Sequence, residues 1–239
     1  MLNMIAIMRK ELRSYFASPV AYVVIAAFLV MAGVFFAILV RAQAGTVEAS
    51  LDIVFGNVTV VLLVVAPALT MRLLAEEQKS GTIEVLLTAP VQDWEVVVGK
   101  YLASVVLFLV PVALTLVYPA VLLHYANPDV GPMIGGYLGL ILFGSAFLAV
   151  GVLASSLAQN QVVAALLAVA ILIAMWLMGA FAGSARPPVS DILNYLSIIG
   201  HYSDFSRGLV DTRDIVYYLS VIAIALFLAI RSLETRRWT

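Results

Sequence analysis

Six apolar runs, each free of ionisable side chains at its centre, constrain this chain more than any other feature. They cover residues 19–40, 53–74, 96–123, 133–156, 161–182 and 215–230. A helix of about 22 residues at about 1.5 Å per residue spans about 33 Å, enough to cross a hydrocarbon core of about 30 Å. The sixth run is short, at 16 residues, and Arg231 can lengthen it by snorkelling to the interface. The first run is too long for the apolar region of a signal peptide, about 7–15 residues, although Ala42-Gln43-Ala44 offers a cleavage-like site. Charged residues make up 11% of the chain against about 25% in soluble domains, which leaves no room for a sizeable soluble domain. The expected fold is therefore an all-α integral membrane protein with six transmembrane helices, a single domain over 1–239.

The segments between the runs carry the polar chemistry. Residues 1–17 are amphipathic, with Leu2, Ile5, Leu12 and Phe16 opposed to Arg9, Lys10, Glu11 and Arg13; this predicts an interfacial helix. With the N-terminus inside, Arg9, Lys10, Arg13, Arg72, Lys79, Lys100, Arg231, Arg236 and Arg237 fall on the cytoplasmic side. Arg41, Arg186, Arg207 and Arg213 fall on the other. That bias predicts a multi-pass protein with both termini cytoplasmic. Residues 184–213 mix Ile192, Leu193, Leu196, Ile198 and Ile199 with Asp191, Asn194 and Ser197, which suits an outer-face re-entrant segment. Leu193, Leu196, Ile199, His201 and Phe205 are its candidate outer gate. Gly131, Gly135 and Gly139, then Gly179 and Gly183, recur at four-residue intervals, and small residues so spaced let helices approach closely. Packing within one chain is the expected use, ahead of a dimer seam.

Several chemistries are missing. There is no cysteine, so no disulfide and no thiolate metal site. His124 and His201 fit no ligand spacing, and a net charge of −1 gives no basic character for nucleic acid. No Walker motif, G-x-S-x-G or H-E-x-x-H occurs. His201 is near Ser203 and Asp204 in sequence, where a cap explains the grouping better than a catalytic set. Asn57 and Thr59, inside the second run, are expected to hydrogen-bond between helices. Carriers driven by ion gradients keep ionisable groups inside the bundle, and the middles of these six runs lack them. An independent secondary carrier is thus disfavoured, and the chain reads as a channel-like body without its own motor.

The polar stretch 72–100 is where a motor could attach. Ser80, Gly81 and Thr82 can start a short helix, Glu84 then sits near its positive end, and Ile83, Leu86 and Leu87 form one apolar stripe. Pro90 stops that helix, and Asp93 is expected to cap the next one. Two helical turns are unstable alone in water, so this piece must lean on headgroups or dock into a groove on another subunit.

Here the sequence resembles a known family. EEQKSGTIEVLLTAP at 76–90 looks like the first cytoplasmic loop of ABC type-2 exporter permeases. HYSDFSRGLVD at 201–211, DIVYYL at 214–219 and the ending RSLETRRW at 231–238 resemble the gliding-motility branch of that family. The resemblance implies a non-catalytic membrane subunit that couples ATP hydrolysis on a partner chain to substrate translocation. Residues 75–95 would form the coupling loop, with Glu76, Glu77, Gly81, Thr82, Glu84 and Leu86 in the cytoplasmic coupling helix and its approach. Ile83 and Leu87 join them through the apolar stripe. The implied partners are two cytoplasmic ABC ATPase subunits and a second copy or sister permease. A protein with a large extracytoplasmic domain is a further implied partner. ATP and magnesium would sit on the ATPase, with no cofactor in this chain, in a bacterial or archaeal cytoplasmic membrane. The alternative is a mechanotransmission subunit that passes ATPase-driven motion to an outer partner without moving cargo. The sequence does not name a cargo.

Overall fold

The computed structural model describes residues 2–43, 50–81, 91–126, 128–184 and 186–236, and these form helices joined by turns and short connections, with no strand among them. The helices are α1 (Leu2–Ala17), α2 (Pro19–Ala42), α3 (Asp52–Thr70), α4 (Ala75–Lys79), α5 (Asp93–Leu114) and α6 (Val117–Tyr125). They continue with α7 (Val130–Leu157), α8 (Gln161–Ala182), α9 (Val189–Leu196), α10 (Ile198–Ser206) and α11 (Thr212–Arg236). Six helical units are long and apolar enough to span a membrane: α2, α3, α5 with α6, α7, α8 and α11. This is the expected all-α, six-span fold.

Local chemistry sets where the spans begin. Ser18 precedes Pro19, so its backbone is extended (ψ 135°), and its hydroxyl accepts from the Val20 N–H; the proline ring then occupies a first-turn position that needs no donor. Asp129 caps α7 through the Gly131 N–H at 3.0 Å, and Asn160 caps α8 through the Val163 N–H at 3.0 Å. At α5 the cap is Gln92 rather than Asp93, which is the first helical residue. Glu95 reaches back to the Gln92 N–H at 3.4 Å.

Other sequence expectations change. The third span breaks at Thr115 and Leu116, four to five residues after Pro111. The sixth is a 25-residue helix, because helix continues through the charged tail. Arg231 there pairs with Glu234 one turn on and lies 5.1 Å over the Phe227 ring. Asn57 and Thr59 do not link helices: they donate to the carbonyls of Ile53 and Gly56 in their own helix, each at 2.7 Å. In apolar surroundings a short polar side chain satisfies itself on the nearest free lone pair.

Helix α7 is the central post, buried along most of its length and packed by α3, α5, α8, α10 and α11. Its glycines make this possible. A Cβ at Gly135 would meet the Phe205 carbonyl oxygen at 2.5 Å, and one at Gly139 would meet Phe205 Cβ at 2.6 Å. Gly151 admits Thr70, and Gly179 on α8 admits Ser197. The glycine spacing thus serves packing within the chain at these positions. Gly131 and Gly183 have no such close neighbour.

Candidate functional site

One end of the bundle gathers a polar cluster around α4. Gly99, buried on α5, lets α1 lie directly on that helix, since a Cβ there would come within 2.9 Å of the Met4 carbonyl oxygen. The next residue, Lys100, is 2% exposed. Its ammonium donates to Glu11 Oε1 on α1 and to Glu77 Oε1 on α4, each at 2.9 Å. Lys10 stands 3.9 Å from the same two oxygens. A buried ammonium needs such partners, because taking it from water unpaired costs several kcal/mol. Among the described residues, the buried Glu77 Oε2 has no hydrogen-bond partner.

Each neighbour of Glu77 reaches a different helix. Arg72 bonds Glu76 at 3.3 Å and donates to the Ser18 hydroxyl at 3.0 Å, the same group that caps α2. The N–H groups of Leu74 and Ala75, orphans of the first turn of α4, donate to Ser155 Oγ of α7 at 3.0 and 3.1 Å. That hydroxyl donates in turn to the Met71 carbonyl at 3.2 Å. Gln78 Nε2 donates to the Ser156 carbonyl at 3.0 Å, which also accepts from Ser232 of α11 at 3.2 Å. Tyr15 of α1 donates to the Leu69 carbonyl at the end of α3; burial, and secondarily Glu11, push its phenol far above the ordinary range. The five-residue α4 is thereby bonded to α1, α5 and α7, and through shared groups to the cap of α2 and to α11.

The predicted coupling residues divide. Glu76 is exposed, Glu77 half-buried in the cluster, and Gly81 exposed with φ +72°. Ser80 and Gly81 end α4 in the left-handed glycine turn common at helix C-termini, and the short helix expected to follow them falls outside the described residues. Thr82, Ile83, Glu84, Leu86 and Leu87 lie outside the described residues. Sequence reading missed Glu11, Lys100 and Ser155, although a lysine placed one turn inside an apolar run was a signal.

The opposite end is built by α9, α10 and the start of α11. Of the candidate gate residues, His201 and Phe205 are buried, Leu193 and Ile199 half-buried and Leu196 exposed. They do not form one cluster: Phe205 packs on Gly139, while His201 stacks on Tyr217 at 4.0 Å between ring centres. His201 does not pair with Ser203 or Asp204. Its Nδ1 lies 2.6 Å from Asp214 Oδ1 and its Nε2 2.9 Å from the Tyr195 carbonyl. Among the described residues no group of His, Asp or Glu is placed to hold a metal ion.

Fold and site thus define a multi-pass helical membrane protein with its polar machinery at the ends of the bundle and an apolar interior. The chain belongs to the family described as ABC-2 family transporter protein, which it matches over residues 5–238. That makes it a permease subunit of an ABC transporter, a membrane subunit that works with ABC ATPase subunits. No curated protein matches it.

Proposed function

We propose that this chain converts ATP hydrolysis on a cytoplasmic partner into export across the membrane, and that α4 with the following loop is where the force enters. The observation that carries this reading is the tie of Glu77 and Gln78 to α1, α5 and α7. A pull on α4 acts on three helices at once, and through Ser156 on α11. The apolar interior supports an external power source, since it offers no ionisable relay. The bias of Lys and Arg toward the α4 end supports a cytoplasmic placement of both termini. Residues 1–17 then lie along the inner interface and 184–213 fold back at the outer face. Ile83, Leu86 and Leu87 form the docking stripe, and Glu84 and the exposed Glu76 meet basic groups on the ATPase. Nucleotide and magnesium belong to that partner, and two permease bodies enclose the route.

The test is Leu86→Asp in the assembled complex. The variant should insert and fold yet lose the ATPase on purification; normal ATPase retention with normal transport-stimulated hydrolysis would refute docking by this stripe.

A second reading has its own support. α11 is one unbroken helix from Asp214, at the far end, to Ser232, beside α4. Such a rod could pass motion to an extracytoplasmic partner of the gliding-motility type with no cargo crossing. ATP-dependent accumulation of substrate in sealed vesicles favours export; its absence in a mechanically active assembly favours transmission.

A further inference from the structure

At the end of the bundle away from α4, a pocket of about 360 Å³ is lined by Asp191, Asn194, Tyr195, His201, Asp204, Asp211, Arg213 and Asp214. We infer that this pocket binds an organic cation, a primary ammonium carried by a soluble amine or by a lipid headgroup.

The argument starts from the hydrogen bonds. The Tyr195 carbonyl only accepts, so His201 Nε2 carries a proton. His201 Nδ1 and Asp214 Oδ1, 2.6 Å apart, then share one further proton. Whichever atom holds it, Asp214 Oδ2 remains an acceptor. That side chain lines the pocket at 4% exposure, and among the described residues its buried Oδ2 has no hydrogen-bond donor. A buried acceptor without a donor is unfavourable unless a ligand supplies one.

Charge gives the sign of the ligand. Four aspartates face one arginine and the one shared proton, so the pocket is net negative. Arg213 is turned to the Tyr195 ring, its guanidinium carbon 5.1 Å from the ring centre, which marks that ring as a wall that receives cations. Size and geometry select the class. The volume is about that of a dozen waters at about 30 Å³ each, well beyond a bare ion, and no three carboxylate or imidazole groups converge as metal ligands among the described residues. An ammonium can bring three donors to the acceptors.

This site is independent of the ATPase reading, and failure of either leaves the other standing. The test uses the full chain in dodecyl maltoside micelles, which carry neither charge nor amine, titrated calorimetrically with spermidine. Saturable binding is expected, weakened about tenfold or more by Asp191→Asn with Asp204→Asn at an unchanged melting temperature. Asp214→Asn should abolish it. Phosphatidylethanolamine competing with spermidine better than phosphatidylglycerol of the same chains assigns the amine to a lipid; no such difference assigns it to a soluble amine. No saturable spermidine binding, equal binding by the double variant, or saturable binding of inorganic phosphate instead would overturn the inference.

Discussion

Lys100 Nζ lies 2.9 Å from Glu77 Oε1, joining the short helix α4 to the foot of a membrane span. The same nitrogen holds Glu11 of the N-terminal helix. Two carboxylates held by one buried ammonium form a clasp that is stable only when closed. Pulling either carboxylate away leaves an ammonium only 2% accessible to water short of a partner, which links motion of α4 to α1 and α5.

Lys100→Met should therefore destabilise the protein by about 3–5 kcal/mol, because it leaves two carboxylates facing each other with only the exposed, more distant Lys10 as counter-charge. Adding Glu11→Gln and Glu77→Gln to that change should recover most of the loss. Melting of the purified chain in detergent checks both; equal stability of single and triple variants would contradict the clasp.

Ser155→Ala removes the acceptor shared by the Leu74 and Ala75 N–H groups. Two orphan donors left buried predict a loss of about 1–3 kcal/mol. Faster hydrogen exchange at those two amides, with the core of α7 still protected, is the expected local signature.

Glycine positions should sort by their neighbours. Gly135→Ala places a methyl 2.5 Å from a backbone oxygen that cannot swing away, so α10 must shift off α7 and the melting temperature must fall. Gly56→Ala meets nothing within 4 Å and should gain up to about 1 kcal/mol from helix propensity. Thermal unfolding of the two variants side by side reads the contrast.

Much of this was legible in the residues themselves. An apolar run has few ways to sit in lipid, so the six spans follow from length, and Pro19 after Ser18 marks a start with a local mechanism. What escaped depends on distant partners. Glu11 and Lys100 are 89 positions apart, and nothing in either neighbourhood announces the other. His201 seemed to belong with Ser203 and Asp204, yet a turn of chain after α10 brings Asp214 to its ring instead. By sequence Asn57 and Thr59 are expected to reach other helices, whereas carbonyls of their own helix, each with a second lone pair, accept them. The sixth run reads as 16 residues lengthened by a snorkelling Arg231, and the helix in fact runs on through it to Arg236, with Arg231 paired to Glu234 at i,i+3.

The central claim, that power enters at α4 from a separate motor, is tested most directly by Lys79→Cys. The natural chain has no cysteine, and Lys79 is exposed at the end of α4, so one thiol reports one place. In intact cells the thiol should resist a membrane-impermeant maleimide, react once the cytoplasmic face is opened, and crosslink to an ABC ATPase subunit. Labelling from outside intact cells, or a functional complex in which no ATPase lies within crosslinking reach, would contradict the account.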